Sequence, residues 1–231
     1  QILTGYAPEI TGVYGNGRYR PIPEGMTILE RVEKALGDDR VYTAVIAGKS
    51  VNIDNDAPKK VPYEWWMQHA ATSKLLELIS PKSRIEKIGS KIIEEDGKKY
   101  VAIPGKVYYL TQKGIDTFVN GLGENGKTAR YAMDALAKNR NTRFLMSVIF
   151  NEPDNSGHKY GEGSKGYKNA LRLCDQWTGV LMGKLLELGI YDRTLIYVVS
   201  DHGFDTGRRT HNKAPRIFCA TNDKHVNRNG N

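Results

Sequence analysis

Apolar positions along the chain recur in two periods. In "PEGMTILERVEKALGD", Ile28, Leu29, Val32, Ala35 and Leu36 fall at helical spacing, Thr27 and Glu30 have the spacing of a capping box, and Gly37 follows as a stop. "RVYTAVIAG" reads as a strand, "PYEWWMQHAATSKLLELIS" as a helix, and "SKIIEEDGKKYVAI" as a hairpin turning at Asp96-Gly97. Further on, a helix is expected across "TARYAMDALAKN", a buried strand at "RFLMSVIF", a long helix over "GYKNALRLCDQWTGVLMGKLLELG", a second buried strand at "TLIYVVS" and a last strand at "RIFCAT". "KGIDTFVN" is a poor candidate for a buried strand, because Asp116 and Thr117 interrupt it and Asn120 ends it. Almost wholly apolar strands separated by helices predict an α/β fold, a largely parallel sheet with helices on both faces. With no repeat, low-complexity tract or linker in sight, a single domain over residues 1–231 is expected.

Composition changes this picture little. A chain of 231 residues with 39% apolar and 9% aromatic positions can bury an ordinary globular core. No apolar run approaches the roughly 20 residues that span a bilayer, and no signal-peptide pattern opens the chain. Because the first residue is Gln1, this says little about targeting, and the sequence carries no expectation of localisation. The net charge of +8 comes from Lys and Arg spread among Asp and Glu, which describes a solvated surface better than a nucleic-acid footprint and also suits an anionic ester substrate. Cys174 falls in a helical pattern and Cys219 in a strand, with no metal or redox spacing, so both are expected as buried free thiols.

The chemistry gathers behind the two apolar strands. "RFLMSVIF" leads into "NEPDNSGHKYG", with Asp154 and His158 four apart, and "TLIYVVS" leads into "SDHGFD", with Asp201 and His202. Pro153 and Gly157 interrupt the first segment, so a loop rather than a helix is expected to carry that pair. Sites in such sheets form at the carboxyl ends of strands, which would bring both pairs to one edge, and His211 in "THNKAP" lies just before the last strand. Five N and O donors form a set that zinc or manganese accepts, and three of them suffice to hold one ion. His69, inside a helical pattern, and His225, in the polar tail, read as structural or exposed.

A second phosphate chemistry is written in "GLGENGKT", residues 121–128, which satisfies the phosphate-loop pattern with Lys127 and Thr128 in its last two places. The poor strand before it argues for the plainer reading, a Gly-rich turn with Thr128 near the start of a helix, and the loop would leave "SDHGFD" and His211 unexplained. A nucleotide-binding protein using this loop is one alternative function. A non-catalytic binding protein of the same fold is another.

The segments "NEPDNSGHKYG", "YVVSDHGFD" and "THNKAP", together with "LTGYAPEITGVYGN" near the start, resemble the alkaline phosphatase superfamily and, within it, the type I phosphodiesterase and nucleotide pyrophosphatase branch. The resemblance implies two divalent metal ions, most readily zinc. Asp154, His158 and His211 would hold the first and Asp201 with His202 the second. It implies hydrolysis of a small phosphate or sulfate ester and an alkaline phosphatase-like core. The family's nucleophile, a Thr or Ser, and a further metal-binding Asp would fall upstream of Gln1; Thr4 and Thr11 do not match the nucleophile. A core lacking its first strand, one firmly held ion, weak or absent activity of this chain and an open sheet edge suited to a homodimer are the corresponding expectations. Residues 51–141 carry none of the family's motifs and are expected to form a variable insertion within the single domain.

Overall fold

The computed structural model describes residues 2–12, 14, 22, 25–37, 39–49, 59–64, 67, 91–103, 114–214 and 217–226. Among the described residues, α-helices with defined bounds are α1 (Pro8–Thr11), α2 (Ile28–Leu36), α3 (Asn125–Lys138), α4 (Asp154–Tyr160) and α5 (Lys165–Glu187). Its strands are β1 (Tyr42–Ala47), β2 (Lys59–Pro62), β3 (Lys91–Glu95), β4 (Lys98–Ile103), β5 (Thr117–Val119), β6 (Phe144–Ile149), β7 (Tyr197–Val199) and β8 (Cys219–Thr221). The chain folds as two compact units, Gln1–Ile53 with Tyr109–Asn231, and Asp54–Tyr108.

The first unit is built on a parallel sheet in the order β5-β1-β6. Alternate side chains of β1 feed opposite faces, as the period of two requires. Val45 and Ala47 pack with Leu29 of α2 on one face, joined by Ile115, Phe118, Leu145 and Ile149. Ile46 packs with Ala132 and Ala135 of α3 on the other, joined by Met146, Val148 and Leu181 of α5. This is the α/β core with helices on both faces that the apolar strands imply. The capping box at α2 is present in full: the Glu30 amide donates to Thr27 Oγ1, and the Thr27 amide donates to Glu30 Oε2 at 2.9 Å.

β5 forms despite its polar residues, and those residues fasten it. Asp116 Oδ2 accepts the Thr43 amide at 2.8 Å, and the Tyr42 hydroxyl donates to Thr117 Oγ1 at 2.6 Å, so both side chains bind the neighbouring strand β1. A strand judged poor by its apolar content is thus held by side chain to strand hydrogen bonds that no periodicity reports.

"TLIYVVS" departs further from expectation. β7 pairs antiparallel with β8, Val198 opposite Ala220, rather than in parallel with β6. Tyr197 and Val199 are 50% and 43% exposed, so this is not a buried strand: among the described residues no layer covers their side of the hairpin. Cys219 is likewise exposed on β8, against the expectation of a buried thiol. Cys174 is half-buried in α5; burial pushes its thiol up to about 11, and its Sγ donates to the Glu152 carbonyl at 2.9 Å.

The second unit contains an antiparallel sheet, β2-β4-β3, with Glu95 opposite Lys98 across the turn at Asp96 (φ 51°) and Gly97 (φ 69°). This is the hairpin the Asp-Gly pair marks. The helix expected at "PYEWWMQHAATSKLLELIS", with Trp65, Trp66 and His69, lies for the most part outside the described residues. Among the described residues, no helix is long and apolar enough to cross a membrane.

Candidate metal centre

The residues after β6 form a helix, not the expected loop. Pro153 occupies the cap position before α4, where no amide hydrogen is needed, so it starts the helix instead of breaking it. Asp154 and His158, four apart, therefore share one helix face. Gly157 is there because Phe204 is: a Cβ at this position would lie 2.3 Å from Phe204 Cζ. The buried Phe204 ring meets His158 edge-on at a centroid distance of 5.2 Å and His211 at 5.7 Å.

Around this ring the imidazoles converge. One ligand atom each from Asp154, His158 and His211 lies within 4.8 Å of the other two. His202 joins the group from the segment after β7, its ring stacked on His211 at 3.9 Å and its Nε2 3.7 Å from Asp154 Oδ1. Asp201 stands at the margin: its side chain is 65% exposed, and its Oδ2 is 3.6 Å from His202 Nε2. Thus four of the five residues singled out in the sequence meet around Asp154, and the fifth borders them. His225 is solvent-exposed and hydrogen-bonded to Asp223. Thr4 and Thr11 are buried; the Thr4 hydroxyl oxygen accepts the Tyr6 amide and Thr11 donates to the Ala7 carbonyl.

Hydrogen bonding settles which ring nitrogens face inward. His158 Nδ1 is 2.8 Å from the Arg209 carbonyl and His202 Nδ1 is 3.0 Å from the Gly203 carbonyl. A carbonyl only accepts, so each Nδ1 carries its proton and each neutral ring presents the Nε2 lone pair. His158 Nε2 is 3.3 Å from Asp154 Oδ1, and that oxygen is buried without a hydrogen-bond partner. Lone pairs facing a buried carboxylate oxygen repel unless a cation, a proton or a metal ion, lies between them. The donor set thus fits a divalent metal, and the Nδ1 to carbonyl bonds are the outer contacts that orient metal-binding imidazoles. Asp154 Oδ2 is held separately, by the Lys49 ammonium. Burial pushes the Asp154 carboxyl up, but the Lys49 hydrogen bond and charge outweigh it and hold the group below its ordinary value.

The Gly-rich segment 121–128 serves this site as scaffold. The amides of Leu122 and Gly123 donate to the carbonyls of Ala47 and Gly48, and that of Glu124 to Leu122, so they are turned to the chain rather than to a phosphate. Thr128 is buried and donates to the Glu124 carbonyl, while Lys127 lies 3.9 Å from Glu124 on the surface. Asn125 is the member of the stretch that reaches the segment entering α4. Its Oδ1 accepts the amides of Asn151 and Glu152 at 3.0 and 3.3 Å, fixing the segment that enters α4, and its Nδ2 donates to Cys174 Sγ. Asn125→Ala is expected to leave two amides without their acceptor and to cost about 1–3 kcal/mol. A melt that matches the wild type would show that this strap is dispensable.

The segment bearing His211 is closed by Asp205, which accepts the Thr210 hydroxyl at 2.7 Å and the amides of Asn212 and Lys213 at 3.2 and 2.8 Å. The Thr210 bond is the largest effect on the Asp205 carboxyl; desolvation opposes it, and with the Lys213 and Asn212 amides the group is held below its ordinary value. A depressed folded value means that the turn gains stability above the ordinary carboxylate range and loses it as pH falls through the folded value. Protection of the Asn212 and Lys213 amides against exchange, taken relative to the intrinsic rate at each pH, is expected to fall on that descent and to lose its acid dependence in Asp205→Asn; an identical profile in the variant would contradict this.

Several parts of the site are not legible in residue types. Lys49 follows β1 at the same sheet edge, which is a positional signal, whereas the Arg209 carbonyl is a backbone group that no residue type announces. Phe204 and Gly157 acquire meaning only as a pair.

A parallel sheet flanked by helices, with carboxylate and imidazole donors gathered just beyond its strands, defines an α/β protein with a candidate metal centre. The sequence model described as type I phosphodiesterase / nucleotide pyrophosphatase matches residues 2–224, and the chain belongs to that family. It is 38% identical over 61 residues to ectonucleotide pyrophosphatase/phosphodiesterase family member 1 of Homo sapiens, covering 26% of this chain and 7% of that protein. It is 34% identical over 62 residues to family member 7 of Mus musculus, covering 27% of this chain and 14% of that protein. Family member 3 of Rattus norvegicus is 39% identical over 59 residues, 26% of this chain and 7% of its own length. The chain therefore matches only a small part of the length of these relatives.

Proposed function

We propose that this chain belongs to a metal-dependent hydrolase of phosphate esters, of the phosphodiesterase or nucleotide pyrophosphatase type. Asp154, His158 and His211 hold one divalent ion, and Asp201 and His202 contribute to a second, with zinc best suited to the mixed imidazole and carboxylate donors. The observation that carries this reading is the approach of the Asp154, His158 and His211 ligand atoms to within 4.8 Å of one another, in a chain of this family. A bound divalent ion supplies positive charge where an in-line phosphoryl transfer develops negative charge. The residues of the chain orient that chemistry. Arg209 fixes the His158 ring through Nδ1, Gly203 does so for His202, and Phe204 keeps one side of the imidazoles dry. The net charge of +8 favours the approach of an anionic ester. Of residues 51–141, expected as a variable insertion, Asp54–Tyr108 forms its own compact unit, whereas β5 and α3 belong to the core of the first unit.

The test is hydrolysis of a panel of phosphodiesters, phosphomonoesters, nucleotides and sulfate esters by the zinc-loaded protein. Turnover of a phosphodiester, weak or absent in this chain alone and gained when a segment bearing the family's Thr or Ser nucleophile is added, then removed by a chelator and restored by zinc, is the expected result. Tight zinc binding with no turnover of any ester even when that nucleophile is supplied would replace this reading with a binding protein of the same fold.

A further inference from the structure

Lys49 is the one ammonium on Asp154 among the described residues, and backbone pairing brings it there. The Gly48 amide donates to the Ile149 carbonyl at 2.8 Å, which extends the pairing of β1 and β6 by one residue and carries Lys49 to the start of the segment that leads into α4. That approach is close: a Cβ on Gly48 would stand 3.1 Å from Asn151 Cβ and 3.2 Å from Thr128 Oγ1. Lys49, at about a quarter exposure, then reaches Asp154 Oδ2, while Oδ1 is left buried, without a hydrogen bond, between His158 and His202. The two oxygens of one carboxylate are thereby given different tasks.

We propose that Lys49 is a positioning residue that holds Asp154 as a one-oxygen metal donor. With Oδ2 bound to the ammonium, only Oδ1 is presented to an ion shared with His158 and His211, so the carboxylate cannot turn to chelate through both oxygens. The consequence is a compact N and O set of the kind zinc takes, rather than the oxygen-rich sets that larger hard cations take. Lys49 acts through Asp154 and needs no contact with the ion or with substrate. This inference rests on the metal reading proposed above.

The experiment compares zinc binding, by competition with a chromophoric chelator, in wild type, Lys49→Met and Lys49→Arg. Thermal melts of the metal-free proteins are recorded alongside, together with infrared difference spectra of the carboxylate on zinc addition. Wild type is expected to bind zinc with a one-oxygen carboxylate signature. Lys49→Met is expected to bind about 10–100-fold more weakly, the usual loss when an outer partner of a metal ligand is removed, and to shift toward a two-oxygen signature. Lys49→Arg, which keeps a cation on Oδ2, is expected to restore most of the affinity. Equal or tighter zinc binding by Lys49→Met with an unchanged carboxylate signature would overturn the role of Lys49. The same zinc affinity with a raised KM would also overturn it and make Lys49 a substrate contact. Failure of the wild type to bind zinc would instead overturn the metal reading itself, so the two failures are distinct. If Lys49→Met melts far below wild type, the comparison passes to Lys49→Gln, judged by the same spectral and affinity criteria.

Discussion

Replacing His158 by alanine is expected to weaken bound zinc by more than about 100-fold, beyond the range lost when only an outer partner of a ligand is removed. The reason is geometric. His158 supplies one of three ligand atoms that lie within 4.8 Å of one another, and its Nε2 faces the buried, unpartnered Asp154 Oδ1. Its other nitrogen is committed to the Arg209 carbonyl, which holds the ring with Nε2 turned toward Asp154. His225→Ala is the control, because that ring is exposed and contacts Asp223 in the polar tail; its metal content is expected to match wild type. The measurement is elemental analysis after loosely held ions are removed. Equal zinc in His158→Ala and wild type would place the ion elsewhere and remove the basis of the proposed chemistry.

The second large effect falls on a residue with no side chain. An alanine Cβ at Gly157 would lie 2.3, 2.4 and 2.8 Å from three carbons of the Phe204 ring, where carbon pairs normally settle at about 3.5–4.0 Å. The ring has no free space to take, since it is buried and meets His158, His202, His211 and Tyr167 edge-on. Gly157→Ala is expected to lose about 3 kcal/mol, the upper part of the range for overpacked sites, and most of its bound metal, because the imidazoles lose the surface they rest on. The double variant Gly157→Ala with Phe204→Leu removes ring atoms from the collision and is expected to recover part of the stability, which a double-mutant cycle measures. A single variant that melts and binds zinc like wild type would mean that the ring relaxes freely and that Gly157 is not a packing requirement.

Both predictions concern α4, the element the sequence described least well. Pro153 and Gly157 are helix breakers by propensity, yet one sits at a cap position where its missing amide hydrogen costs nothing and the other vacates space for an aromatic ring 47 positions later in the chain. β5 reversed the same lesson, with Asp116 and Thr117 directing their polarity into hydrogen bonds to β1. In β7 the apolar pattern was real, but pairing with β8 left it exposed. The phosphate-loop pattern is a string of residue types and does not specify where backbone amides point; here those of Leu122, Gly123 and Glu124 point to the chain.

Periodicity and caps were enough, taken alone, to determine the alternation of strands and helices, the two-faced burial of β1, the capped start of α2, the turn at Asp96-Gly97 and the candidate donors Asp154, His158, Asp201, His202 and His211, because each of these depends on residues close together in the chain. The tertiary structure alone decided the pairing of Lys49 with Asp154 across 105 positions, the orientation of His158 by a carbonyl 51 positions away, and the divided duty of the two Asp154 oxygens. Local pattern states which side of an element is apolar and which residue types are present; which groups finally meet is set by how the elements pack, and that depends on the whole chain at once.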